Sequence, residues 1–144
     1  MPEVAQTASA AELVAELLHD EGYRAKVEPG TPFVRSSTGG VKIGLIVDND
    51  AEGLQIRCAF SEVGPDLSLE RINEYNARFR YGKMYKDSDD DIVLEQDFLF
   101  DPHRPDAADE LRKIMSLFEG AIGLMKTFLV HSETREEAEA EAGG

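Results

Sequence analysis

The sequence predicts a two-layer α+β domain, an antiparallel sheet with helices packed against it. Three observations predict it. Apolar residues recur at helical spacing in three separate runs, near the start, the middle and the end of the chain. Between those runs the apolar period drops to two, the mark of half-buried strands. Clusters of Gly, Pro, Asn and Asp separate the strand-like runs at hairpin distances, which favours antiparallel neighbours.

The first helix follows from Ser9-Ala10-Ala11-Glu12, a capping box whose hydroxyl and carboxylate can satisfy the free N–H groups of a first turn. Leu13, Val14, Leu17 and Leu18 then share one face, and Gly22 suits a left-handed stop. The helix therefore covers about residues 10–21. Tyr23, Ala25 and Val27 alternate with Arg24, Lys26 and Glu28, so a strand follows. Pro29-Gly30 and Pro32 break it, and Phe33–Ser36 reads as a short strand. Ser37-Thr38-Gly39-Gly40 is a hairpin turn into Val41, Ile43, Leu45 and Val47. Asp48–Gly53 is a second turn, and Leu54, Ile56, Cys58 and Phe60 alternate beyond it.

Gly64-Pro65-Asp66 ends this meander. Asp66 or Ser68 is the candidate cap of a second helix, with Leu69, Ile72, Tyr75, Asn76 and Phe79 on its broad face. A strand at Lys83–Lys86, an acidic turn, and a longer strand with Ile92, Leu94, Gln96, Phe98 and Phe100 on one face come next. Gln96 falls among apolar neighbours there and should find a hydrogen-bond partner. Pro105 or Asp106 starts the last helix. Its apolar positions, from Leu111 to Leu129, cover about half the circumference of a helical wheel, against an arc nearer 100° for an ordinary surface helix. The surplus width predicts a second contact, and Leu117, Ala121, Leu124 and Phe128 are the candidate partner or dimer surface. Gly120 and Gly123 fall on the polar side. The resulting organisation is one domain over residues 9–131, a flexible N-terminus at 1–8 and an acidic flexible tail at 132–144.

Composition bounds the function. The chain has 144 residues, enough for one real core, and no apolar run of the length a membrane span requires. The N-terminus lacks the basic and apolar regions of a secretory signal, and Cys58 is the only cysteine; a cytoplasmic location is expected. With 29 acidic against 15 basic residues the net charge is −14, which argues against nucleic acid and against anionic membrane surfaces as partners.

Candidate chemistry is sparse. An EF-hand loop counted from Asp87 has Ile92 where the glycine belongs and Phe98 where the closing Glu belongs. Counted from Asp48, the loop fits through Gly53 but closes on Ala59 in mid-strand. Both stretches read as turns, where Asp and Asn cap the backbone, and as weak divalent-ion sites only in the alternative. His19, His103 and His131 belong to no nucleophile or zinc motif, and Cys58 falls on an apolar strand face. Glu95 and Asp97, two apart with Asp101 beyond, would be the acid–base pair if the protein were a small enzyme. The commoner reading is a solvated strand face. No catalytic, cofactor or metal residue is assigned. Asn73 and Asn76 lie on one helix face where Asn is disfavoured, so both are expected to make structural bonds to the neighbouring strand backbone.

From Ala10 to Leu129 the chain resembles the YbjN-like family of small bacterial proteins, catalogued as candidate regulators of sensory transduction. The resemblance rests on the N-x-x-N of Asn73 and Asn76, on Phe79, on Lys83-Met84-Tyr85, and on the Asp87-x-Asp89-x-Asp91 turn leading into Val93-Leu94-Glu95-x-Asp97. The family's turn usually carries Gly where this chain has Asp90. The resemblance implies a fold similar to type III secretion chaperones, which are small, acidic, usually dimeric proteins that hold a partner's unfolded segment. It therefore implies a non-enzymatic protein-binding module, chaperone-like or regulatory, acting as a homodimer or with a protein partner.

Overall fold

The computed structural model describes residues 9–48, 52–61 and 67–143, with side chains as far as Val130. The elements run α1 (Ala10–Asp20), β1 (Ala25–Val27), β2 (Phe33–Thr38), β3 (Val41–Asp48), β4 (Gly53–Phe60), α2 (Leu69–Arg78), β5 (Lys83–Lys86), β6 (Ile92–Leu99) and α3 (Ala107–Gly143). The six strands form one antiparallel sheet in the order β1-β2-β3-β4-β6-β5. The α+β class and the element order expected from the sequence are the ones observed.

Local chemistry sets the boundaries. The Ser9 hydroxyl accepts the N–H of Glu12 at 3.1 Å, and Gly22 leaves α1 with φ +93°. Gly39 and Gly40 both take positive φ between β2 and β3, the backbone of a two-residue hairpin turn matched to the twist of its strands. Ser68 caps α2, its hydroxyl accepting the N–H of Arg71 at 3.2 Å. Asp66, the other candidate cap, lies outside the described residues, as do residues 1–8 and residues 49–51 of the Asp48–Gly53 turn.

One face of the sheet meets the helices. Val34, Ile43, Leu45, Ile56, Cys58 and Leu94 are buried from it into a single core with α1, α2 and α3. α1 packs on β1–β3, α2 on β5, and α3 on β6 and both other helices. That three-sided packing accounts for the wide apolar arc of α3: Leu111, Met115, Phe118, Ile122 and Met125 are all buried within the chain. Arg112 ties the start of α3 to the end of α1, its Nε and Nη2 donating to the two carboxylate oxygens of Glu21 at 3.0 Å each. That bond holds the Glu21 carboxyl below its ordinary pKa. The backbone of α3 continues through Gly143, into the residues expected as a tail.

Two expectations about elements change. Leu69 belongs to the helical pattern of α2 but is 71% exposed, because the packed face of that helix begins one turn later at Ile72. Gln96 lies on the core-facing side of β6, yet its Oε1 is buried without a hydrogen-bond partner among the described residues.

Candidate functional site

The helices leave the other face of the sheet open, and strand register aligns its side chains. Lys26 lies opposite Arg35, Arg35 opposite Gly44, Gly44 opposite Arg57, Arg57 opposite Glu95, and Glu95 opposite Lys83. One cross-strand row thus carries four cations, one glycine and one carboxylate. Strands lie about 4.8 Å apart, so the stretch from Lys26 to Arg57 spans roughly 14 Å.

At the β5–β6 end the row is neutralised. Glu95 accepts from Lys83 Nζ at 2.9 Å and from the Tyr85 hydroxyl at 2.8 Å. Burial works to raise the Glu95 carboxyl pKa, but the hydrogen bonds from Lys83 and Tyr85 outweigh it and the net direction is down. The Tyr85 hydroxyl is pushed up, by burial first and then by the adjacent carboxylate. Glu95 is therefore not on a solvated face as its spacing suggested. Val93 and Tyr85 flank it in register, and it is 8% exposed. Asp97 does stay exposed and takes a hydrogen bond from Gln55 at 3.0 Å, while Asp101 accepts the N–H of His103 at 2.9 Å. The three carboxylates have separate partners and do not converge as an acid–base pair would.

At the β1–β4 end cations outnumber the carboxylates that reach them, with Glu95 facing Arg57 and Glu28 3.6 Å from Arg35. A cleft of about 900 Å³ runs from the last turn of α1 across β1 onto the open face of β2–β4. Among the described residues its lining carries five of the chain's 15 Lys and Arg residues, namely Arg24, Lys26, Arg35, Lys42 and Arg57, with His19 and no carboxylate. The Phe33 ring lies across Gly44, so that a Cβ added at residue 44 would come within 2.5 Å of it. Arg35 stands 5.9 Å from the Phe33 ring centre and 3.6 Å from Glu28, a partner outside the cleft.

Asn76 and Asn73 part company. The Asn76 amide donates to the Met84 carbonyl at 2.8 Å and accepts the Met84 N–H at 2.9 Å. It acts as one peptide group of a missing strand on the outer edge of β5, where a bare ladder would otherwise face solvent. Asn73 is exposed, and its side chain makes no hydrogen bond among the described residues.

The four positions expected to form a partner surface on α3 also divide. Ala121 and Phe128 are buried inside the chain, Phe128 against Tyr75 and under the Arg71 guanidinium, 4.5 Å from its ring centre. They are core residues, because α2 crosses that side of α3. Leu117 and Leu124 remain 40% and 44% exposed.

Asp87, Asp89 and Asp91 can bring one carboxylate oxygen each within 4.8 Å of the others. The hairpin explains the cluster. Asp87 Oδ1 accepts the N–H groups of Asp89 and Asp91 at 2.9 and 3.0 Å, and Asp90 takes the left-handed φ of +61° that closes the turn. The Asp91 carboxyl is shifted up, by burial and then by its three acidic neighbours. The pattern is a turn in which Asp90 occupies the position that favours glycine. Cys58 is buried, and burial pushes its thiol up to about 12, as in an unreactive core cysteine. Among the described residues no helix is long and apolar enough to cross a membrane.

Residues 10–121 match the family model for YbjN, described as "Putative bacterial sensory transduction regulator". The chain belongs to the YbjN family. The same fold is seen in the crystal structure of an uncharacterized protein from Methanothermobacter thermautotrophicus, at 16% identity and a TM-score of 0.54, over 85% of this chain and 98% of that one. At that identity the likeness concerns the fold alone. No curated protein matches the chain. The description of the family names a regulator and no enzymatic activity.

The cationic cleft was not visible in the sequence. Arg24, Lys26, Arg57 and Lys42 each read as an ordinary solvated position of an alternating strand. The signal was available only in combination: the polar positions of four successive strands carry Lys or Arg, and three antiparallel pairings bring them into register.

Proposed function

We propose that this YbjN-family chain acts without chemistry of its own, as a cytoplasmic regulatory module that works by binding protein, first of all a second copy of itself. The observation that supports this is on α3. Once the core has absorbed the rest of its apolar arc, Leu117 and Leu124 stay exposed one heptad apart, with Gly120 between them and nothing within 4 Å of where a Cβ there would sit. Exposed leucines flanking a glycine let a second helix approach closely and bury both. At 1.5 Å per residue the helix backbone extends roughly 55 Å, long enough for two copies to lie side by side. The chaperone-like part of the reading, a partner's extended segment held on the surface, rests only on the fold that the sequence resemblance implies, one similar to type III secretion chaperones.

Light scattering behind a sizing column tests it. The expected result is a dimer that Leu117→Glu with Leu124→Glu turns into a folded monomer whose Tm no longer depends on protein concentration and falls only by what dimerisation supplied, since both side chains are already exposed. A monomeric wild type at 100-micromolar order, or a dimer indifferent to both substitutions, would sink the proposal.

A further inference from the structure

We propose that the cleft on the open face of β2–β4 is a binding site for a nucleotide-class ligand, an organic phosphate carrying a flat heteroaromatic ring. It lies on the sheet face away from the helices, and the inference does not depend on the α3 interface.

Three features carry it. The first is charge. In a chain of net charge −14, five cationic side chains line one cleft and, among the described residues, no carboxylate does. Among the described residues Arg24, Lys26 and Lys42 have no salt-bridge partner, Arg57 faces only Glu95, which it shares with Lys83, and Arg35 has only the 3.6 Å contact to exposed Glu28. At physiological salt the screening length is about 8 Å, so the field inside the cleft is set by these five cations with Glu28 and Glu95 at its margins, and not by the chain's more distant acids. The charges sit on ordered strands in fixed register, and arginine's planar fork matches phosphate oxygens.

The second feature is the floor. Gly44 replaces a side chain at the centre of the cationic row, and the Phe33 ring lies in the space it leaves. Phe33 is only half-buried, so a ring surface bordered by Arg35 remains available for stacking. A flat heteroaromatic ring on Phe33, with phosphates reaching Lys42 and Arg57, uses both kinds of group at once. A bare inorganic anion would leave the ring unused.

The third is size and backbone. About 900 Å³ falls within the roughly 300–1,000 Å³ of small-molecule sites. An acidic peptide adding itself as a strand needs a free edge, and the cleft offers only the outer side of the three-residue β1, whereas β2, β3 and β4 are interior strands paired on both sides. Recognition here has to come from side chains above the sheet, which suits a compact ligand better than an extended chain.

The test is equilibrium binding of ATP to the full chain by calorimetry, alongside inorganic tripolyphosphate and a poly-glutamate peptide. ATP is expected to bind saturably and more weakly as salt rises. Lys42→Glu with Arg57→Glu should weaken it at least tenfold, with folding checked by circular dichroism. Phe33→Ala should weaken ATP roughly tenfold, the scale of one lost aromatic stack, and leave tripolyphosphate unchanged. Three results would overturn the proposal: no saturable ATP binding at millimolar concentration, tripolyphosphate binding as tightly as ATP, or binding of the peptide in place of ATP.

Discussion

Replacing Asn76 by Ala while using Asn73→Ala as the reference isolates one interaction. Asn76 makes two hydrogen bonds to Met84, at 2.8 and 2.9 Å, and Asn73 makes none among the described residues. Each bond is worth about 1 kcal/mol net, so the bridge contributes about 2 kcal/mol. Alanine is also the better helix former, by up to roughly 0.7 kcal/mol, and that gain applies to both positions in α2. Subtracting one variant from the other cancels it. Asn76→Ala should therefore lie about 2 kcal/mol below Asn73→Ala in urea unfolding at pH 7, with equal m values. For a domain of this size the same gap is roughly 4–8 °C in Tm. Asn73→Ala itself should equal or slightly exceed the wild type. Asn76→Asp is the sharper variant, because it keeps the acceptor for the Met84 N–H but turns a carboxylate toward the Met84 carbonyl. If the two alanine variants unfold within 0.5 kcal/mol of each other, the edge bridge is not what holds β5, and the argument from its geometry fails.

Four further outcomes are expected. Glu95→Gln removes the charge that Lys83 and Tyr85 hold and should cost about 1–2 kcal/mol at pH 7. The folded Glu95 pKa lies below the ordinary 4.5, so its contribution is complete above that pH and is lost as pH falls through the folded value. The gap between wild type and variant in an acid titration should accordingly close below pH 4.5. Gly82→Ala places a Cβ 2.8 Å from buried Leu94 at φ +83°, and chemical unfolding should show a loss of about 2–4 kcal/mol. Asp90→Gly relieves the left-handed strain of the acidic turn and should raise stability by up to about 1 kcal/mol in the same assay. Gly120→Ala should add about 1 kcal/mol to the helix yet weaken the dimer, read as higher Tm together with lower mass in light scattering.

Much of the architecture could be read in advance because local signals agreed with one another. Ser9, Ser68, Gly22 and the Gly39-Gly40 pair each mark a boundary by a conformation or a hydrogen bond that few other residues supply. The period-2 runs placed Leu45, Ile56 and Leu94 in the core correctly. What the chain could not disclose by pattern was which neighbours would cover a given position. Glu95 has the spacing of an exposed residue, but Tyr85 and Lys83 reach it only once β5 has paired with β6. Phe128 and Leu117 differ by about 20° on the helical wheel of α3, yet α2 buries one and leaves the other in solvent. The cationic cleft is the same kind of property. No single strand contains it, and it exists only where four registers coincide.

The strand order also constrains how the chain is built over time. β1 to β4 are joined in sequence by hairpins, while β4 waits for β6, whose Asp97 pairs with Gln55 from 42 residues away and across an intervening helix. During synthesis, β4 is thus finished well before the strand that covers it has been made. For that interval its outer ladder, backed by Leu54, Ile56 and Cys58, is an uncovered template for another chain. The long return of β6 leaves the finished sheet without an open edge at β4, and in exchange the nascent protein passes through a stage in which it most needs to be kept apart from its own copies.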